Sequence, residues 1–198
     1  SVSGQNSIVN VLTPPNSGAL TSPLSVCSDD FSIHDLSNQL AGQDVTGYWI
    51  DANGFQQSPS PSFNFNSSMP SGNYTYMVTS PVCPDVQTVV PVTIIAAPNT
   101  GTPNPQSICI NNYGPGNLYN LDNLLSGSYD PGTWYESGVP VSTNIDPNTY
   151  GSGIITFTYQ ANGIPPCANR TRNIDLTINP EPVVASFTSS APSTTQGY

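Results

Sequence analysis

The chain has 198 residues, enough for two small domains, with 36% apolar and 9% aromatic residues but only 7% charged ones. Twelve acids stand against two bases, Arg170 and Arg172, so the net charge is −10 and lysine is absent. That balance excludes nucleic acid and anionic membrane surfaces as partners, since Lys and Arg carry both kinds of binding, and it excludes Lys–Asn isopeptide staples.

No run of 18 apolar residues and no secretory leader is present, so membrane insertion is not expected and Ser1 reads as the start of mature sequence or of an excised fragment. The apolar residues fall in short alternating runs, so the many Pro, Gly, Asn, Ser and Thr residues read as turns and edge strands rather than as a disordered linker. Taken in chain order, Val9-Asn10-Val11-Leu12 comes 83 residues before Val92-Thr93-Ile94-Ile95. Residues 1–12 therefore read as the closing strand of a preceding repeat, with 13–18 as linker; the alternative is that they open the first repeat. Residues 19–97 form that repeat, with strands expected around Phe31–Leu36, Val45–Ile50, Phe63–Phe65, Tyr74–Val78 and Thr88–Ile95. Asn53-Gly54 is a hairpin turn signal, and Pro91 marks an edge or a bulge. Residues 98–101 are a linker, 102–180 repeat the pattern, and 181–198 begin a following repeat. At most one helical turn is expected, at Leu36–Leu40 or Leu121–Leu125.

Each repeat carries Cys, Trp and Cys: Cys27, Trp49 and Cys83, then Cys109, Trp134 and Cys167. The first cysteines are 82 residues apart, and Pro15-Asn16-Ser17-Gly18 returns as Pro98-Asn99-Thr100-Gly101. This period suits a row of small β-sandwiches. The fold class is all-β, tandem Ig-like sandwiches. The matched spacing predicts disulfides within each repeat, Cys27 with Cys83 and Cys109 with Cys167, hence an oxidising, extracellular compartment. Both second cysteines fall in the last hairpin loop, so an end-of-sandwich clasp is expected.

Trp49 and Trp134 fit either a core position or a sugar-stacking platform, and their recurrence favours the core. His34 is the single histidine and has no nucleophile motif beside it. Asp29-Asp30 and Asp51-Ala52-Asn53-Gly54 fall short of a complete calcium loop. No Cys/His cluster suggests zinc, and the two glutamates, Glu136 and Glu181, do not form a glycosidase pair. Neither catalytic residues nor a cofactor are expected. The Asn-x-Ser/Thr matches at Asn66, Asn73 and Asn169 arise readily by chance in a chain of this composition.

Gly132-Thr133-Trp134-Tyr135-Glu136-Ser137-Gly138, the aromatic alternations Tyr74-Thr75-Tyr76 and Phe157-Thr158-Tyr159, and the Pro-Asn-Ser/Thr-Gly motifs resemble the Ig-like repeats of large Bacteroidota surface proteins. These include the gliding-motility adhesins of the SprB type, exported by type IX secretion. The resemblance implies a non-enzymatic, cell-surface filament of stacked sandwiches. Its expected partners are neighbouring repeats of the same polypeptide, with surface polysaccharide or other surface proteins beyond them. A carbohydrate-binding sandwich of a secreted enzyme is the alternative.

Overall fold

The computed structural model describes residues 11–57, 62–65 and 69–183. Among these the structure is all-β, with short 3-10 turns and no α-helix. The chain divides into two units. The first runs to Pro98 and includes the later loop Asn162–Asn169; the second holds Asn99–Ala161 and continues from Arg170.

In the first unit the strands are β1 (Ala19–Leu20), β2 (Leu24–Cys27), β3 (His34–Asp35), β4 (Leu40–Ala41), β5 (Tyr48–Ile50), β6 (Ser62–Phe63), β7 (Gly72–Val78) and β8 (Val86–Ile95). A main sheet in the order β2-β8-β7-β5 faces two short antiparallel pairs, β1 with β4 and β3 with β6. The second unit has β9 (Thr102–Pro103), β10 (Gln106–Cys109), β11 (Tyr119–Asn120), β12 (Leu125–Ser126), β13 (Gly132–Glu136), β14 (Val139–Val141), β15 (Asn144–Ile145), β16 (Gly153–Ala161) and β17 (Arg170–Asn179). Its main sheet, β10-β17-β16-β13-β14, repeats the first with one strand added, and β9–β12 and β11–β15 repeat the short pairs.

Alternation fixes which face is buried. Along β7 the pattern Tyr74, Tyr76, Val78 points inward, and along β16 Phe157, Tyr159 and Ala161 do. These meet Trp49, Val90 and Val92 in one core and Trp134, Ile174, Leu176 and Ile178 in the other. The 3-10 turns Leu36–Gln39 and Leu121–Leu124 are both present, where the sequence suggested one or the other. Each is capped by a side chain just before it: Asp35 accepts from Ser37 N at 2.9 Å, and Asn120 from Asp122 N at 2.8 Å.

Pro91 sits in β8, which is not an edge strand. The parallel partner β2 begins only opposite Val92, so at Pro91 that side of β8 still lacks a neighbour and the missing N–H costs no ladder bond. The early apolar run is shorter as a strand than expected: Phe31 and Ile33 are exposed, and pairing begins at His34. Of the proposed closing strand over 1–12, residues 1–10 lie outside the described residues, as does the following-repeat strand from Val184 onward. The same is true of Asn66.

Candidate functional site

The two ends of each sheet carry the repeated chemistry. At the leading end lie the incoming Pro-Asn-Ser/Thr-Gly segment and the last hairpin loop. At the trailing end the first and last main strands finish side by side.

The leading end begins with an asparagine that closes an Asx turn. Asn16 Oδ1 accepts from Gly18 N at 2.9 Å, and Asn99 Oδ1 from Gly101 N at 3.0 Å. The turn needs positive φ at its last residue, +78° at Gly18 and +72° at Gly101, which glycine adopts without penalty. Each asparagine is then fastened to an aspartate. Asn16 N donates to Asp44 Oδ2 at 2.8 Å and Asp44 N returns a bond to Asn16 O at 2.8 Å. In the second unit Asn99 N reaches Asp130 Oδ2 at 2.8 Å and Asp130 N reaches Asn99 O at 2.9 Å. The asparagine amides donate to Gly42 O at 2.6 Å and Ser128 O at 2.8 Å. The motif read from sequence as a linker is thus part of each unit: Ser17 and Thr100 are buried.

A tyrosine joins this clasp to the core. Tyr76 donates its hydroxyl to Asp44 O, and Tyr159 donates to Asp130 O at 2.6 Å. Reaching back to upstream backbone in this way is the device of a tyrosine corner. Each ring packs on the tryptophan, at 5.1 Å for Trp49–Tyr76 and 5.0 Å for Trp134–Tyr159 between ring centres. The glycine two residues before each tryptophan makes room. A Cβ on Gly47 would stand 2.6 Å from the Tyr76 hydroxyl oxygen, and one on Gly132 2.7 Å from Tyr159 Cζ. The last main strand adds a tie, Thr88 Oγ1 to Gly18 O at 2.7 Å in one unit and Arg172 Nε to Thr100 Oγ1 at 3.2 Å in the other.

Trp49 is 1% exposed and Trp134 2%, so neither offers a face to a sugar. Burial also pushes the Tyr159 phenol above its ordinary range, with the Asp122 carboxylate adding to the effect.

The cysteines lie at opposite ends of each sheet. Cys27 ends β2 and stands in register with Ile95, the last residue of β8, whereas Cys83 precedes the start of β8 at Val86. A ten-residue strand spans roughly 30 Å, and a disulfide needs Cα atoms within about 7 Å. The within-repeat pair expected from spacing cannot form, and the same holds for Cys109, in register with Asn179, and Cys167, ahead of Arg170. Instead Cys27 is bonded to Cys167, with Cα atoms 4.9 Å apart, and Cys83 and Cys109 are half-buried free thiols. Cys167 sits on the loop Asn162–Asn169, which belongs to the first unit. The loop is braced by Gly163 N to Asn169 Oδ1 and Cys167 N to Ile164 O, both 2.9 Å. The bond closes a loop of 140 residues, worth about 5 kcal/mol in the chain-entropy account, and it fits an oxidising, extracellular compartment.

The acidic and imidazole groups singled out in the sequence have structural surroundings. Asp29 lies within 4.8 Å of both bonded sulfurs, but as a disulfide these offer no thiolate to a metal. Asp51 Oδ1 accepts from Asn53 N and Phe55 N at 2.9 Å each, and Oδ2 from Gln57 Nε2 at 2.6 Å, which fixes the Asn53-Gly54 turn. His34 Nε2 is 3.2 Å from Ser32 Oγ and 3.1 Å from Asp30 Oδ2. A Ser-His-Asp relay uses the two different ring nitrogens; here both partners share one, so the imidazole cannot pass a proton across.

No protein-family model matches the sequence, and no curated protein matches it. Among solved structures the chain is similar to the insect immune protein hemolin, whose domain arrangement has implications for homophilic adhesion. The identity is 12% over 83% of this chain and 47% of that one, with a TM-score of 0.48. It is also similar to Sidekick-1 immunoglobulin domains 1–4, at 12% identity over 81% of this chain and 48% of that one, TM-score 0.46. The N-terminal four Ig domains of Dscam1 isoform 4.44 give 11% identity over 87% and 49%, TM-score 0.37. The chain thus spans about half the length of these structures. The likeness is one of tandem Ig architecture and, with every TM-score below 0.5, says nothing about activity or ligand.

Proposed function

We propose that the chain is a non-enzymatic segment of a large repetitive cell-surface protein, in which successive repeats extend the polypeptide and carry tension. This is the role implied by the resemblance to gliding-motility adhesins. Its partners are neighbouring repeats of the same polypeptide, with surface polysaccharide or other surface proteins meeting any adhesive face. One observation supports the reading above the others: in each unit the first and last main strands pair in parallel, over Leu24–Cys27 with Val92–Ile95 and over Gln106–Cys109 with Leu176–Asn179. Pulling the first strand one way and the last the other loads that ladder in shear, so its bonds resist together rather than opening one at a time.

Force spectroscopy on the reduced chain tests this. Two rupture events are expected, one per unit, each releasing about 25 nm of chain at roughly 3.5 Å per residue. With the disulfide intact, the residues between Cys27 and Cys167 are shielded and the release shrinks accordingly. Units that lengthen smoothly without resolvable ruptures would overturn the tension-bearing role.

A further inference from the structure

We infer that Cys83 and Cys109 are the two open halves of a staggered disulfide series whose missing partners are further copies of the repeat. Cys109 bonds the hairpin-loop cysteine of the repeat that follows, and Cys83 bonds the strand-end cysteine of the repeat that precedes. This rests on the repetitive-array reading above.

The bonded pair supplies the rule. Cys27 ends the first main strand of one repeat, and Cys167 lies in the last hairpin loop of the next repeat in sequence. Cys109 is the counterpart of Cys27: each is the fourth residue of its strand and stands opposite the end of the parallel last strand, at Ile95 or Asn179. Cys83 is the counterpart of Cys167, each lying three residues before a ten-residue closing strand. Every repeat therefore presents one thiol at its trailing end and one at its leading end, roughly 30 Å apart along the sheet. Neither thiol can reach the other within a repeat. Each is half-buried rather than sealed in the core, and so is open to a partner.

The chemistry needs an oxidant of the disulfide class, such as oxidised glutathione. One thiolate attacks the oxidant's S–S bond to give a mixed disulfide and release one thiol. The second thiolate then displaces the other half, so that one S–S bond forms in the protein, one breaks in the oxidant, and two thiols leave with the two protons.

The test compares the chain with a doubled chain, both refolded in glutathione buffer. In the doubled chain residues 1–182 are followed directly by 16–198, so that Pro182–Asn16 reproduces the Pro15–Asn16 and Pro98–Asn99 junctions. The single chain should take up two alkyl groups, at Cys83 and Cys109 only. Zero uptake in a monomeric chain whose mass carries no glutathione adduct, or peptides joining Cys27 to Cys83, would overturn the inference at its base. The doubled chain should take up two groups rather than four, with a chymotryptic peptide pair joining Cys109 to Cys83. Replacing its first Cys83 and last Cys109 with serine should leave no free thiol. Four free thiols in a doubled chain whose tryptophan emission matches that of the single chain would remove the staple. It would leave the tension reading standing, because the ruptures of the reduced chain do not depend on any disulfide.

Discussion

Ser37 in the first unit stands where the second has Asp122, each as the second residue of a 3-10 turn under the tryptophan. In the second unit Trp134 Nε1 donates to Asp122 Oδ1 at 2.9 Å; serine is too short to serve Trp49 in the same way. The first unit compensates with aromatic packing. Phe63 stacks on Phe65, both meet Tyr74 edge-on with ring centres 5.3 to 5.7 Å apart across the three pairs, and Trp49 meets Phe63 edge-on at 6.2 Å. The second unit fills the matching layer with Tyr119 and Ile145 and packs Tyr113 on Tyr119. The middle of the sandwich is thus free to change its chemistry, while the ends are not. Asn, Gly, Asp and Tyr at the leading end recur with the same bonds, Trp recurs with the same tyrosine packed on it, and Cys recurs at both ends in the same positions. The fastened ends thus constrain residue type by their hydrogen bonds, whereas the middle need only fill space.

The sharpest way to break this comparison is to delete the tryptophans one at a time. Trp49→Ala and Trp134→Ala should each cost about 3–5 kcal/mol in their own unit. Trp134→Ala should cost more, by about 1 kcal/mol, because the Asp122 carboxylate also loses its donor. Urea unfolding followed by far-UV circular dichroism reads the altered unit, while the emission of the remaining tryptophan marks the transition of the unaltered one. If the two losses were equal, the Asp122 bond would contribute nothing, and the difference between the units would be one of packing alone.

The tyrosines sharpen it next. Tyr76→Phe and Tyr159→Phe remove the same bond to the clasp and should each cost about 1 kcal/mol. Tyr119 is different: its hydroxyl is buried without a partner. Tyr119→Phe should be neutral or stabilising by about 1 kcal/mol, since an unsatisfied buried group is removed. Burial, with a smaller contribution from Tyr113, pushes the Tyr119 phenol up to about 12, and burial with the Asp51 charge does the same for Tyr74. A phenol raised in the folded state contributes stability that is complete below its unfolded value near 10 and is lost as pH climbs toward 12. Tyrosine absorbance should therefore show ionisation coinciding with alkaline unfolding, and Tyr119→Phe should move that transition to higher pH. A transition left unchanged would mean that Tyr119 ionises without opening the second unit.

Much of this was legible in the residues. Alternation gave the sheets, recurrence gave the buried tryptophans, and the position of Cys83 and Cys167 shortly before a long apolar strand placed them in hairpin loops. The pairing was not legible, because equal spacing in two copies is satisfied as well by bonds between repeats as within them. What decides is that β2 lies parallel to the end of β8, a contact between residues some 68 apart that no local pattern encodes. The clasp was hidden for a related reason. Pro-Asn-Ser-Gly has the composition of a linker, and only the distant Asp44 and Asp130 turn it into a fastened turn.

The smallest expected difference between the units appears in acid. The first unit has Asp30, whose carboxyl is held below the usual range by bonds from the Ser32 side chain and backbone and, to a lesser degree, by His34. In the second unit Tyr119 takes the histidine's place, pairing with Ile145 as His34 pairs with Phe63. A carboxyl lowered on folding contributes stability that is complete above its unfolded value near 4 and is lost as pH falls below that value. The contribution is small, since the Asp30 side chain is 39% exposed and so is screened by solvent. Between about pH 4 and pH 2 the first unit should lose this increment and the second should not. Following Trp49 in a Trp134→Phe background, and Trp134 in a Trp49→Phe background, separates the two acid transitions. Asp30→Asn should flatten the slope of the first while leaving the second as it was. An unchanged slope would show that the Asp30 turn persists when its carboxyl is protonated, held by the backbone alone.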